Sequence, residues 1–182
     1  MTPLADAFDA LSEIIVYPEA HLQDRLESCT ERIEPIDSDA AGLLREFSRR
    51  IAGKTLSELE EVYIQTFDMN PTRTLDLGWQ LFGEDYNRGI FLVKVRQEMK
   101  RLGIDETHEL PDHITQVLKV LGRMEPDKAE DFAVACVLPA LRKTCGAVNE
   151  DNPYRPLVEA VVQLLAANYQ ESTEEANDGA LV

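Results

Sequence analysis

The chain has 182 residues, with 34 acidic against 18 basic side chains and a formal net charge of −16. This length predicts one domain, and the 44% hydrophobic content can build a core without disulfides or a metal. A balance this acidic disfavours sequence-independent binding to nucleic acid, because the phosphates would be repelled and no basic patch offsets the repulsion.

The acidity flanks a nearly neutral middle. Residues 71–125 carry 9 acidic and 8 basic side chains, whereas residues 1–70 carry 15 and 6, and residues 126–182 carry 10 and 4. This distribution suits a partner that is basic at one end and apolar beside it. Acidity is also a common means of keeping a protein soluble, and that alternative stays open.

Cysteine usage and the N-terminus favour a cytoplasmic protein. Cys29, Cys136 and Cys145 are odd in number and lack C-x-x-C spacing, which is typical of a reducing compartment. The start, Met-Thr-Pro-Leu-Ala-Asp, lacks the basic and apolar parts of a signal peptide. The longest apolar run, 132–141, is about half a membrane span, so we expect no membrane insertion.

Apolar residues recur every three or four positions and no stretch alternates as strands do, so the sequence predicts an all-α, single-domain bundle of about nine helices over residues 1–169. The first three helices are expected over about 3–16, 22–33 and 38–52, and the fourth begins at a capping box at Ser57. A short helix is expected within 68–89. The last four are expected over 90–102, from Ile114, over 128–147, and from Asn152 to Tyr169. Thr2 should cap the first helix. The helix over 128–147, apolar on nearly all sides, should be central and kinked at Pro139. Residues 170–182 are predicted to be a disordered acidic tail.

Three sequence patterns typical of enzymes or metalloproteins are incomplete in this chain. Gly53-Lys54-Thr55 ends like a phosphate-binding loop, but Ser48 stands where the first glycine belongs and no strand precedes it. The three histidines form no zinc pattern, and Cys145 has no identifiable base. We therefore predict no metal, no cofactor and no enzymatic activity, while a Cys–His pair formed by folding stays open.

Two features remain as candidate sites. Half of the chain's aromatic residues fall within 63–91, in a segment interrupted by glycines, and they could line a groove or simply be core; they are Tyr63, Phe67, Trp79, Phe82, Tyr86 and Phe91. Glu84 and Asp85 would put acid at the rim of such a groove. The second feature is Pro111-Asp112-His113. A helix start explains the first two residues, whereas His113 could donate a hydrogen bond to a ligand backbone.

These residues fall in two blocks that resemble the NarJ/TorD/DmsD superfamily of molybdoenzyme maturation chaperones, most closely its nitrate reductase assembly branch. The first block is Tyr63-Ile-Gln-Thr-Phe-Asp68 through Pro71, then Leu75, Phe82-Gly-Glu-Asp85 and Arg88-Gly89; the second is Glu109-Leu-Pro-Asp-His-Ile114. Phe82 stands where that branch usually has Tyr, which leaves open which molybdoenzyme is served.

The resemblance implies a non-enzymatic cytoplasmic chaperone. Such proteins bind the N-terminal segment, a twin-arginine-type leader or its remnant, of an apo catalytic subunit of a molybdenum oxidoreductase such as nitrate reductase, and hold the subunit until its cofactor is inserted. The predicted peptide-binding residues are Tyr63, Trp79, Phe82, Glu84, Asp85, Pro111, Asp112 and His113. We expect a monomer, with a dimer left open. The alternative function is an acidic helical adaptor or anti-activator that sequesters an unrelated basic protein.

Overall fold

The computed structural model describes residues 2–170, and these residues form an all-α, single-domain bundle, as predicted. The α-helices are α1 (Pro3–Ser12), α2 (Leu22–Ile33), α3 (Ser38–Ile51), α4 (Leu56–Tyr63), α5 (Leu77–Phe82), α6 (Tyr86–Arg101), α7 (Ile114–Leu121), α8 (Pro126–Phe132), α9 (Leu138–Ala147) and α10 (Arg155–Asn168). A π-helical turn, Ala133–Val137, joins α8 to α9. If α8, this turn and α9 are counted as one helix, residues 2–170 contain nine helices. The predicted tail, apart from Gln170, lies outside the described residues.

Helix starts follow local capping chemistry. The Thr2 hydroxyl accepts a hydrogen bond from the Ala5 N–H at 3.2 Å, and Pro3 occupies the first helical position of α1. The capping box of α4 pairs Thr55 with Glu58, so it lies two residues before the predicted Ser57. Helix α6 begins at Tyr86 and not at residue 90, because the Asp85 side chain caps it.

The core forms where the helices pack against one another. Helix α10 packs against α3 and α9, α1 packs against α2 and α7, and α5 packs against α6 and α9. The prediction that the helix over 128–147 is the central one is wrong, since Ala135 is exposed and that helix has one solvent-facing side. In α7, by contrast, every residue except Lys119 is buried. The kink at Pro139 stays a prediction; a π turn, which the sequence did not indicate, ends at Val137, two residues before it.

A short main-chain pairing ties the loop before α5 to the start of α7. The Leu77 N–H donates to the Asp112 carbonyl at 2.9 Å, and the Ile114 N–H donates to the Leu75 carbonyl at 3.0 Å. Two parts of the chain far apart in sequence are thereby held at one place. No helix within residues 2–170 has the length and apolar content needed to cross a bilayer.

Candidate functional site

A cleft of about 580 Å³ opens where α4 ends, beside this pairing. Four aromatic side chains line it: Tyr17, Tyr63, Phe67 and Trp79. Five ionisable side chains line it as well: Asp68, Asp76, His108, Glu109 and His113. Residues of both sequence blocks therefore face one cavity, which we call the cleft.

A second π-helical turn, Ile64–Asp68, continues α4 and supplies one wall of the cleft. Its Met69 N–H donates to the Ile64 carbonyl at 3.0 Å, five residues back, so the turn holds one residue more than an α-turn. The Thr66 hydroxyl, buried on the opposite side, donates to the Val62 carbonyl and accepts from the Asn152 amide. This anchoring leaves Phe67 and Asp68 on the cleft.

Aromatic rings form the floor of the cleft. The Tyr63 ring lies 5.1 Å from the Phe67 ring and 5.6 Å from the rings of both Tyr17 and Tyr154, in edge-to-face arrangements. Tyr63 and Phe67 are buried, whereas Tyr17 is partly open to solvent. Of the rings in this cluster, Tyr17 is therefore the one most available to a ligand.

Behind the cleft, Asp112 is the centre of a hydrogen-bond network. Its Oδ2 accepts from the Gly78 N–H at 3.1 Å and from Nε and Nη2 of Arg88 at 3.3 Å each. Arg88 also donates to Asp76 Oδ2 at 3.4 Å, and its guanidinium lies 5.4 Å above the Trp79 ring. Because Asp112 is 0% exposed, it joins α5, α6 and α7 from inside.

Two carboxylates share this one guanidinium, and the pKa values of both are raised. Burial raises the pKa of Asp76 to about 6, and the charge of Asp112 adds to the effect while Arg88 opposes it. Burial likewise raises the pKa of Asp112, against the influence of Arg88. The acidic side of the cleft is thus incompletely neutralised by the protein itself.

His113 caps α7 and faces the cleft as a neutral ring. Its Nδ1 accepts from the Thr115 N–H at 3.3 Å and lies 2.8 Å from the Thr115 hydroxyl. Burial lowers the pKa of His113 to about 4, with a smaller contribution from His108. With Nδ1 acting as an acceptor, the proton of the neutral ring is on Nε2. That N–H has no hydrogen-bond partner among the described residues.

The eight predicted site residues fall in four places. Tyr63, Trp79 and His113 line the cleft, while Pro111 and Asp112 are buried behind it. Phe82 lies in a separate apolar groove of about 380 Å³ beside α6, where its ring is 5.7 Å from that of Phe91. Glu84 and Asp85 lie on the exposed turn between α5 and α6 and line neither cavity.

Sequence reasoning did not select several cleft residues. They are Tyr17, Asp68, Asp76, His108 and Glu109. Asp68 and Glu109 belong to the two sequence blocks, so taking each block as a whole would have found them. Tyr17, Asp76 and His108 carry no local signal, because they come together only in the folded chain.

By architecture, the described residues define an all-helical, single-domain protein with one cleft of aromatic and acidic character. Among residues 2–170, no group of three or more His, Cys, Asp or Glu side chains is placed to hold a metal ion. The nitrate reductase delta subunit family model matches residues 33–145, a range that contains both sequence blocks.

Two curated relatives agree with that match. The chain is 24% identical over 174 residues to the probable nitrate reductase molybdenum cofactor assembly chaperone NarW of Escherichia coli, which covers 91% of this chain and 73% of the relative. It is 27% identical over 160 residues to the nitrate reductase-like protein NarX of Mycobacterium tuberculosis, covering 82% of this chain but only 23% of that longer protein. The chain belongs to the nitrate reductase delta subunit family, and the superfamily resemblance is confirmed.

Proposed function

We propose that this protein is an assembly chaperone for a molybdoenzyme of the nitrate reductase type, and that it binds the N-terminal segment of the apo catalytic subunit in the cleft. Family membership and the likeness to NarW support the first part. The second part depends on one observation: both family blocks converge on a cavity that combines aromatic faces with carboxylates.

Two exposed apolar side chains directly follow cleft residues in the sequence. Met69, which follows the cleft residue Asp68, is 72% exposed, and Leu110, which follows Glu109, is 46% exposed. Exposed apolar side chains around a polar cavity are typical of a surface that a partner covers. An amphipathic segment with a basic end matches this combination, because its apolar face can cover the mouth while its charge meets the carboxylates.

Calorimetry with a synthetic peptide of the N-terminal segment of the cognate catalytic subunit tests the proposal. The Trp79→Ala variant should lose about tenfold or more in affinity, since a half-buried aromatic ring at the centre of an interface is the usual hot spot. Tyr86→Ala is the matched control, because Tyr86 is 83% exposed on the neighbouring helix and lines neither cavity.

Two results would overturn the proposal: no binding of the peptide by the wild-type protein, or an unchanged affinity in Trp79→Ala. A loss of the same size in Tyr86→Ala would instead move the site to the outer face of α6. Size-exclusion chromatography of the free protein tests the accompanying expectation of a monomer.

A further inference from the structure

A row of exposed apolar side chains runs along the outer face of α6. Tyr86, Ile90 and Val93 are 83%, 40% and 50% exposed, and their spacing of four and three residues puts them on one side of the helix. The buried side chains of α6, Phe91 and Val95 among them, lie on the opposite side. The row therefore lies outside the core of the bundle, and neighbouring apolar side chains left at the surface are typical of a face that a partner covers.

Charge is distributed unequally between the two ends of α6. Glu84 and Asp85 lie on the exposed turn before the helix, whereas Lys100 and Arg101 lie in its last turn. Arg101 pairs with Glu98 at 2.7 Å, but neither Glu84 nor Lys100 has an ion-pair partner among the described residues. This order of charge also suits the dipole of α6 itself, so the apolar row between the two ends is the feature that points to a partner.

The order of charge selects the kind of partner. An anionic lipid surface, or a uniformly acidic protein, would attract Lys100 but repel Glu84. An apolar helix with the same order of charge fits better if it lies antiparallel, because each acidic end then meets a basic end. A second copy of α6 meets this requirement. Leu92 is level with the centre of such a pair, since it lies eight residues after Glu84 and eight before Lys100, or about 12 Å from each along the helix.

We infer that two copies of this chain associate through α6 as an antiparallel, two-fold pair. Tyr86, Ile90 and Val93 of each copy lie at its centre, and Glu84 of each copy faces Lys100 of the other. Two helices bury less surface than the roughly 1,200 Å² of a stable interface, so the association is weak and dilute protein is monomeric. No residue of α6 lines the cleft, so the pairing does not use the surface proposed for the client.

Sedimentation velocity over about 5–500 µM protein tests the inference. The weight-average mass should rise with concentration from that of one chain toward that of two. Val93→Gln removes an exposed apolar side chain and keeps a good helix former, so the variant should fold as the wild type does. It should weaken the association about tenfold, because the two-fold symmetry removes the contact twice.

An exchange of charge tests the antiparallel arrangement. Glu84→Lys and Lys100→Glu should each weaken self-association about tenfold, because each brings like charges together twice in the pair. An equimolar mixture of the two variants should restore most of the wild-type affinity, since both contacts then again join opposite charges.

Glu27→Lys is the matched control for net charge. Glu27 is exposed on α2, and its substitution changes the net charge of −16 by the same amount as Glu84→Lys. Moving the net charge toward zero reduces general repulsion between copies, so Glu27→Lys should not weaken the association. A specific contact at Glu84 therefore predicts the opposite sign from a general effect of charge.

Three outcomes would overturn the inference: the mass of one chain at every concentration, wild-type association in both charge variants, or no restoration in their mixture. Co-sedimentation of a protein that stays monomeric with phosphatidylglycerol vesicles would overturn it as well, and would assign the face to a lipid surface. Failure of the dimer leaves client binding in the cleft standing, and failure of client binding leaves the dimer standing, because the two surfaces share no residue.

Discussion

The Asp112 network makes a sharp prediction at Gly78, the glycine on the buried side of α5. A Cβ added to Gly78 would lie 2.5 Å from Asp112 Oδ2, 3.0 Å from Phe91 Cδ1 and 3.3 Å from Arg88 Cγ. The carboxylate and the phenyl ring belong to packed elements, so neither can withdraw freely. Gly78→Ala should therefore displace α5 or break the hydrogen bonds to Asp112.

Three contributions to the change in the free energy of unfolding can be summed. Weakening a hydrogen bond to a charged acceptor costs about 1.5–3 kcal/mol, and overpacking costs about 1–3 kcal/mol. Alanine returns about 1 kcal/mol through its higher helix propensity. We expect Gly78→Ala to lower the free energy of unfolding by about 1.5–5 kcal/mol, measured by urea denaturation followed by far-UV circular dichroism.

Gly89→Ala is the matched control. Gly89 also lies in a helix, α6, but a Cβ added there would meet no heavy atom within 4 Å. This variant should be neutral or more stable by about 0.5–1 kcal/mol. If Gly78→Ala proved as stable as Gly89→Ala, the tight approach of α5 to Asp112 would be refuted, and with it the role of Asp112 as a support for the cleft.

Three further predictions follow from charge and capping. Arg88→Met should lower the free energy of unfolding by about 3 kcal/mol or more, measured by urea denaturation, because it leaves the buried Asp112 without its cation. Arg96→Met, which removes an exposed ion pair, should lower it by less than about 1 kcal/mol. Similar losses in the two variants would contradict a buried network. Thr55→Ala should cost about 1 kcal/mol by removing the capping box of α4, and an unchanged midpoint would argue against that cap. The pKa of His113 is lowered from 6.5 to about 4, so the stability contributed by its neutral ring is complete above pH 6.5 and lost as pH falls through 4. NMR titration of the His113 ring should give a midpoint near 4, and a midpoint near 6.5 would show that the ring is not buried.

The fold was largely predictable because helical periodicity is a local property. Spacing of apolar residues located the helices, and Thr2 with Pro3 marked the start of α1 correctly. Errors arose where a capping side chain outside the periodic pattern sets the boundary, as Thr55 and Asp85 do. The π turns were not predicted; in the first of them Thr66 accepts a hydrogen bond from Asn152, a residue too distant in sequence for a local pattern to include.

The candidate site was predictable only in part. Aromatic crowding indicated the region in which the cleft lies, but Trp79 and Phe82, three residues apart on α5, open to different cavities. In the second block, His113 lines the cleft, whereas Asp112 is enclosed. Which residue of a short motif faces solvent depends on the partner segment beside it, and a single sequence does not contain that information.

The pairing of residues 75–77 with 112–114 has a consequence for how this family can vary. Main-chain hydrogen bonds and the Arg88–Asp112 contact hold the two blocks together as one structural unit, although more than twenty residues separate Arg88 from Asp112. A chimera that takes one block from another family member would set two mismatched halves against each other. If the cleft binds the client as proposed, both blocks would have to be transplanted together to transfer client preference.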